Sequence, residues 1–204
     1  MPLPPYRFGR EPPHSHRYLC SAVLRILRGH KVRTVLDIGC GNGILAKELA
    51  GQGMAVTGMD PSESGIENAR NLLPDARFYC LEIGADPAQI QEADFDAVVS
   101  TEVIEHLLLP RQLLRLASAK LRPGGLLLLT TPYHGYLKNL ALSLFNRWDS
   151  HHAPQWDGGH VKFWSRRTLT ALLQSENFQV EGFAGLGRVP GLWKSMALIA
   201  RKPG

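Results

Sequence analysis

The sequence predicts an α/β fold built on a largely parallel, doubly wound sheet, and three observations carry that prediction. Apolar segments of strand length alternate with stretches of helical periodicity along most of the 204 residues, the pattern of successive βαβ units. Leu126-Leu127-Leu128-Leu129-Thr130 is a short, almost wholly apolar run, as expected of a strand buried on both faces. Val35-Leu36-Asp37-Ile38 runs through Gly39-Cys40-Gly41-Asn42-Gly43 into a helical segment. Strand, glycine turn and helix in that order mould a nucleotide-type site in an open α/β sheet.

Taken in order, residues 1–15 carry five prolines (Pro2, Pro4, Pro5, Pro12 and Pro13) and read as an irregular arm. From His16 to Arg28, Leu19, Val23, Leu24, Ile26 and Leu27 mark an amphipathic helix. Strand 33–38 leads to helix 43–51, strand 54–59 to helix 62–72, and strand 77–81 to a loop around Gly84-Ala85-Asp86-Pro87. Strand 95–100 is followed by a helical stretch from 102 to 119, and then by the strand at 126–130. Residues 133–163 form a variable insertion rich in His, Trp and Gly; helix 165–175 and strands 178–184 and 192–201 complete one domain spanning 1–204.

Composition bounds the class. With 44% apolar and 20% charged residues the chain is ordinary for a globular domain. No apolar run approaches the ~20 residues of a membrane span, and Met1-Pro2-Leu3-Pro4-Pro5-Tyr6 lacks the apolar core of a secretion signal. Cys20, Cys40 and Cys80 are few, odd in number and far apart, which argues against a disulfide framework or a zinc site and fits a reduced cytoplasm. A net charge of +5 without a long basic run describes a mildly basic, solvated surface.

Asp37 narrows the ligand. A carboxylate two residues before the first glycine would repel the pyrophosphate of a dinucleotide and suits a ligand with a positive charge, such as an amino group. Asp37, Gly39, Gly41 and Gly43 together resemble the acid-x-Gly-x-Gly-x-Gly motif of class I S-adenosylmethionine-dependent methyltransferases. That resemblance implies a Rossmann-like, mostly parallel seven-stranded sheet in the order 3-2-1-4-5-7-6 with helices on both faces. It also implies S-adenosylmethionine as cofactor. Asp60 ends the second strand, where a carboxylate holds both ribose hydroxyls of such a ligand; an N-cap for the following helix is the alternative. By the same resemblance Glu82 stands at the adenine position and Thr101 beneath the methionine moiety. Arg17 is a candidate partner for the methionine carboxylate, since arginine bonds carboxylates in bidentate fashion.

The sulfonium of that cofactor is an activated methyl donor, so the protein must align a nucleophile and, for a hydroxyl acceptor, remove its proton. Glu102, Glu105 and His106 fall at i, i+3 and i+4, one face of a helix. They match the Glu-x-x-Glu-His motif of the ubiquinone-biosynthesis O-methyltransferases, which implies a divalent metal such as magnesium, manganese or zinc. Glu-His after the fourth strand also occurs in the superfamily without metal, leaving His106 as a polar site residue or base. The similarity runs from Thr34 to Pro132, through Lys120-Leu121-Arg122-Pro123-Gly124-Gly125. The acceptor it implies is a small, apolar or aromatic metabolite methylated on oxygen. Alternatives are N- or C-methylation of another metabolite, or a non-catalytic protein that binds S-adenosylmethionine. Nucleic-acid methyltransferases more often carry Asn/Asp-Pro-Pro-Tyr/Phe where this chain reads Ser100-Thr101-Glu102-Val103, so nucleic acid is not an expected partner.

In the insertion, Leu137, Leu140, Ala141, Leu144, Phe145 and Trp148 form an apolar stripe of helical period. It suits a lid, a membrane-surface helix spanning 137–148, or a helix packed on the core. His160 occupies a position that many relatives carry as His-x-x-Phe, a candidate substrate contact or base beside the structural histidine it could equally be. His151 and His152, adjacent in an expected loop without cysteine partners, read as poor metal ligands. Oligomeric state is not legible.

Overall fold

A computed structural model describes residues 16–152 and 154–204. Its centre is a seven-stranded sheet in the order β3-β2-β1-β4-β5-β7-β6, as expected. The strands are β1 (Thr34–Ile38), β2 (Ala55–Asp60), β3 (Arg77–Cys80), β4 (Phe95–Thr101), β5 (Leu121–Pro132), β6 (Gln179–Leu186) and β7 (Ser195–Arg201). The first five pair in parallel, and β7 runs antiparallel to both β5 and β6.

Side chains alternate across each strand, and the two resulting faces carry separate cores. Val35, Val99, Leu126 and Leu128 pack under helices α1 (His16–Gly29), α2 (Ile44–Ala50) and α3 (Glu63–Leu72). Leu36, Ile38, Val98, Leu127 and Leu129 pack under α4 (Pro110–Lys120) and α7 (Arg166–Ser175). Local signals set the helix ends. The Ser62 side chain accepts a hydrogen bond from the Gly65 N–H to cap α3, and Ser165 with Thr168 forms a capping box on α7. The buried ammonium of Lys120, closing α4, donates to the carbonyls of Ile90 (2.5 Å) and Glu92 (3.0 Å) and ties the loop before β4 to the sheet. All three cysteines are free. Among the described residues no helix is long and apolar enough to cross a membrane.

Two expectations need correction. The helix anticipated from residue 102 begins only at Pro110; residues Ile104–His106 form a single 3₁₀ turn. Proline disfavours helical backbone in the residue before it and is well placed at the first helical position. Leu109 accordingly has φ −115° and ψ 70°. The apolar stripe, likewise, is not one helix and does not pack on the core. Helix α5 (Tyr136–Leu144) stops at Phe145, Asn146 turns with φ +49°, and α6 (Trp148–His152) starts afresh. Leu137, Leu144, Phe145 and Trp148 remain 51–75% exposed.

Candidate active site

The parallel strands end together at one edge of the sheet, where an open α/β sheet places its ligands. Asp37 pairs in register with Gly58 on β2 and Val99 on β4. It is 1% exposed, and both of its carboxylate oxygens are buried with no hydrogen-bond partner. An unpaired buried carboxylate is costly; burial, reinforced by nearby Asp60, pushes its pKa up to about 7. The turn that follows requires its glycines. Gly43 has φ +76°, and a Cβ there would meet the Cβ of Ala69 at 2.7 Å, so the third glycine is what lets α3 pack against the turn. A Cβ on Gly39 would strike Val103.

Asp60 reaches back to the same turn. Its Oδ2 accepts from the Gly41 N–H at 3.0 Å and its Oδ1 from the Ser62 N–H at 2.9 Å. Burial raises its pKa, and these two backbone donors oppose the rise. The side chain that caps α3 is Ser62, so the N-cap alternative for Asp60 falls away. Glu82 stands exposed just past β3, and Thr101 ends β4 opposite Thr130. The side chain of Arg17 lies outside the described residues.

Beyond β4 the chain turns at Glu102, whose φ is +54°. Its carboxylate accepts from the hydroxyls of Thr130 and Ser195, each at 3.0 Å, and Ser195 in turn lies 3.1 Å from the Tyr18 hydroxyl. Burial is the main cause that pushes the Glu102 pKa up to about 7. Glu105 is 1% exposed: its Oε2 accepts from Thr131 at 3.0 Å, while Oε1 is buried without a hydrogen-bond partner. The Glu105 carbonyl accepts from the N–H groups of Val161 (2.9 Å) and Lys162 (3.0 Å), which stitches the insertion onto the site. His160 is brought in by that contact. Its Nε2 lies 4.0 Å from Glu105 Oε1, and its ring 4.8 Å from that of His106. His106 Nδ1 meets the Gly158 carbonyl at 2.9 Å. Burial, with Glu102 adding to it, pushes Glu105 up to about 8; burial and His106 push His160 down to about 4. Both shifts favour a protonated acid beside a neutral imidazole over an ion pair.

The donor set implied for a metal is consequently different from Glu102, Glu105 and His106. With no helix through 102–106 those three do not share a face, and Glu102 faces Thr130 and Ser195. The donors that converge are Glu105, His106 and His160, whose ligand atoms all lie within 4.8 Å of one another. Their mixture of carboxylate and imidazole, with the orphaned Oε1 of Glu105, fits a divalent ion.

A cavity of about 490 Å³ opens beside this turn, past the ends of β4 and β5. Tyr18, Glu102, His134, Lys138, Phe145 and His160 are among its lining residues, together with Arg188. Asp37 and Asp60 do not line it, whereas Glu102 does, so the glycine turn and the cavity are distinct regions on either side of the end of β4. Lys138, 6% exposed, donates to the Tyr133 carbonyl at 2.8 Å; burial lowers its pKa to about 8 although Glu102 opposes the fall. Burial also lowers His134 to about 3 and His151 to about 4, and Lys138 adds to both shifts. Sequence reading passed over His134, Lys138 and Arg188. A lone lysine inside the apolar stripe was the signal for Lys138, and nothing local marked the others.

The profile of a methyltransferase domain family matches residues 13–182. The ubiquinone biosynthesis O-methyltransferase of Caulobacter vibrioides is 34% identical over 173 residues, 78% of this chain and 66% of that protein. The mitochondrial protein of the same name from Homo sapiens is 30% identical over 167 residues, 78% of this chain and 45% of that protein. The chain thus matches just under two thirds of the bacterial relative and under half of the human one. Among solved structures, a putative methyltransferase from Bacillus halodurans superposes with a TM-score of 0.70 at 16% identity, over 90% of this chain and 100% of that one. The 1,6-didemethyltoxoflavin-N1-methyltransferase of Burkholderia thailandensis, solved with 1,6-didemethyltoxoflavin and S-adenosylhomocysteine, gives 0.67 at 20% identity, over 94% of this chain and 79% of that one.

Proposed function

The chain belongs to the methyltransferase domain family, and we propose that it transfers the methyl group of S-adenosylmethionine to a hydroxyl of a small, apolar or aromatic acceptor. The observation that carries this reading is Asp37. A carboxylate buried beside a three-glycine turn with both oxygens unpartnered is matched to a ligand that brings an ammonium to the turn. Asp60, already fixed by Gly41 and Ser62, offers its remaining lone pairs to a ribose diol. Glu82 and Thr101 lie at the same strand edge, on the adenine and methionine sides.

In the reaction an acceptor oxygen attacks the methyl carbon in line with the breaking carbon–sulfur bond. The sulfonium leaves as the neutral thioether of S-adenosylhomocysteine, and the hydroxyl proton must go to a base. His160 suits that role: its ring is neutral, it faces the cavity, and Glu105 and His106 flank it. His106, held by the Gly158 carbonyl, is the second candidate. In the alternative mechanism a divalent ion such as magnesium, held by Glu105, His106 and His160, would acidify the acceptor hydroxyl in place of a histidine base.

The name shared by the two relatives favours oxygen as the methylated atom. The exposed apolar residues of α5 and α6 at the cavity rim favour an acceptor with an apolar tail, and support peripheral membrane contact through 137–148. The test is calorimetric titration with S-adenosylhomocysteine followed by a methyl-transfer screen against catechols, polyprenylated phenols, amines and carbon acids. Transfer to a phenol supports the reading, and transfer confined to amines or carbon changes the acceptor class. Tight cofactor binding with no transfer to any acceptor identifies a binding protein.

A further inference from the structure

On the wall of the cavity, His134 comes together with the adjacent pair His151 and His152 from the other end of the α5–α6 segment. His134 follows β5, while His151 and His152 close α6. One ligand atom from each lies within 4.8 Å of the other two. The rings of His134 and His152 stack at 5.5 Å, and His151 lies 4.8 Å from His152 and 6.2 Å from His134. The Nε2 of His152 is buried without a hydrogen-bond partner, which costs free energy unless something satisfies it. Phe163 covers the group from one side, 5.2 Å from His134 and 5.0 Å from His152. We propose that His134, His151 and His152 form a three-imidazole site for a zinc-class transition-metal ion on the acceptor wall, separate from Glu105, His106 and His160.

Imidazole nitrogens select zinc, copper or nickel over magnesium, and three protein ligands leave a fourth position open. Lys138 and Arg188 line the same cavity. Their charge disfavours a fully hydrated dication and favours an anionic fourth ligand, such as a carboxylate or phenolate on an acceptor.

The test uses the untagged full chain, stripped with chelator and titrated with cobalt(II). At least one equivalent should bind and develop the visible ligand-field bands of a low-coordinate nitrogen site. His134→Ala and, separately, His151→Ala should each weaken binding at least about tenfold, and His30→Ala, at an exposed histidine outside both clusters, should leave it unchanged. His151 is exposed, so its replacement is not expected to disturb folding, which thermal unfolding checks. Absence of cobalt binding overturns the proposal, and so does binding indifferent to His134→Ala and His151→Ala. Loss only in His106→Ala also overturns it, because the metal then sits at the Glu105 group. S-adenosylhomocysteine affinity, measured on the same variants, reports separately on the methyl-donor site.

Discussion

The carboxylate of Asp60 accepts a hydrogen bond from the Gly41 N–H at 3.0 Å, so the acid that ends the second strand also fixes the turn that follows the first. A single side chain thereby shapes the glycine turn and, in the proposed function, holds the ribose diol. Replacing it by alanine removes both functions. Asp60→Ala should weaken S-adenosylhomocysteine binding at least about tenfold by calorimetry. Asp60→Asn, which keeps one carbonyl acceptor for Gly41, should lose less. Equal affinity in all three proteins would remove Asp60 from the site.

Asp37 links stability to pH. Its folded pKa of about 7 lies above the ~3.9 of an unfolded aspartate, so between those values the folded state holds the extra proton. Its contribution is fully present below about pH 4 and is lost as pH rises through about 7. The histidines with lowered values act in the opposite sense below their unfolded pKa, so the comparison must be with a variant. Between pH 5.5 and 8 the wild-type melting temperature should drop at least about 3 °C more than that of Asp37→Asn. A ligand ammonium beside Asp37 favours its ionised form. Cofactor binding near pH 7 should therefore release a proton, seen as a dependence of the calorimetric heat on the buffer's ionisation enthalpy.

His160 and Glu105 separate catalysis from binding. His160→Asn should lower methyl-transfer turnover by ~10²–10⁴-fold if the ring takes the acceptor proton, with cofactor affinity unchanged. A comparable loss of cofactor affinity would mean that the residue organises the fold of the site instead.

Lys120 is a purely structural prediction. Replacing it by methionine leaves the carbonyls of Ile90 and Glu92 without their buried donor. Lys120→Met should lose about 1–3 kcal/mol in denaturant unfolding, with cofactor affinity retained at temperatures where the protein is folded.

The rim of α5 and α6 tests the membrane reading. Phe145→Asp and Trp148→Asp remove exposed apolar surface. Sedimentation with anionic phospholipid vesicles should fall in both variants while melting temperature stays unchanged. Wild-type protein that never sediments with vesicles would end that reading.

The sequence by itself determined the strand–helix alternation, the glycine turn with Asp37, and the place of Asp60. Each is a local matter of periodicity, of glycine at positive φ, or of a residue at the end of one strand. Glu102 shows where that stops. A spacing of i, i+3 and i+4 implies a shared face only if a helix exists, and Pro110 moves the helix start downstream of all three residues. The sheet then turns Glu102 toward Ser195, which β7 supplies from 93 residues away. His160 reaches Glu105 only because the Glu105 carbonyl pairs with Val161 and Lys162, and His134 reaches His151 and His152 only because α6 packs against α5. Which donors converge depends on contacts between segments that are separated in sequence. The lining of the cavity was decided by tertiary structure alone.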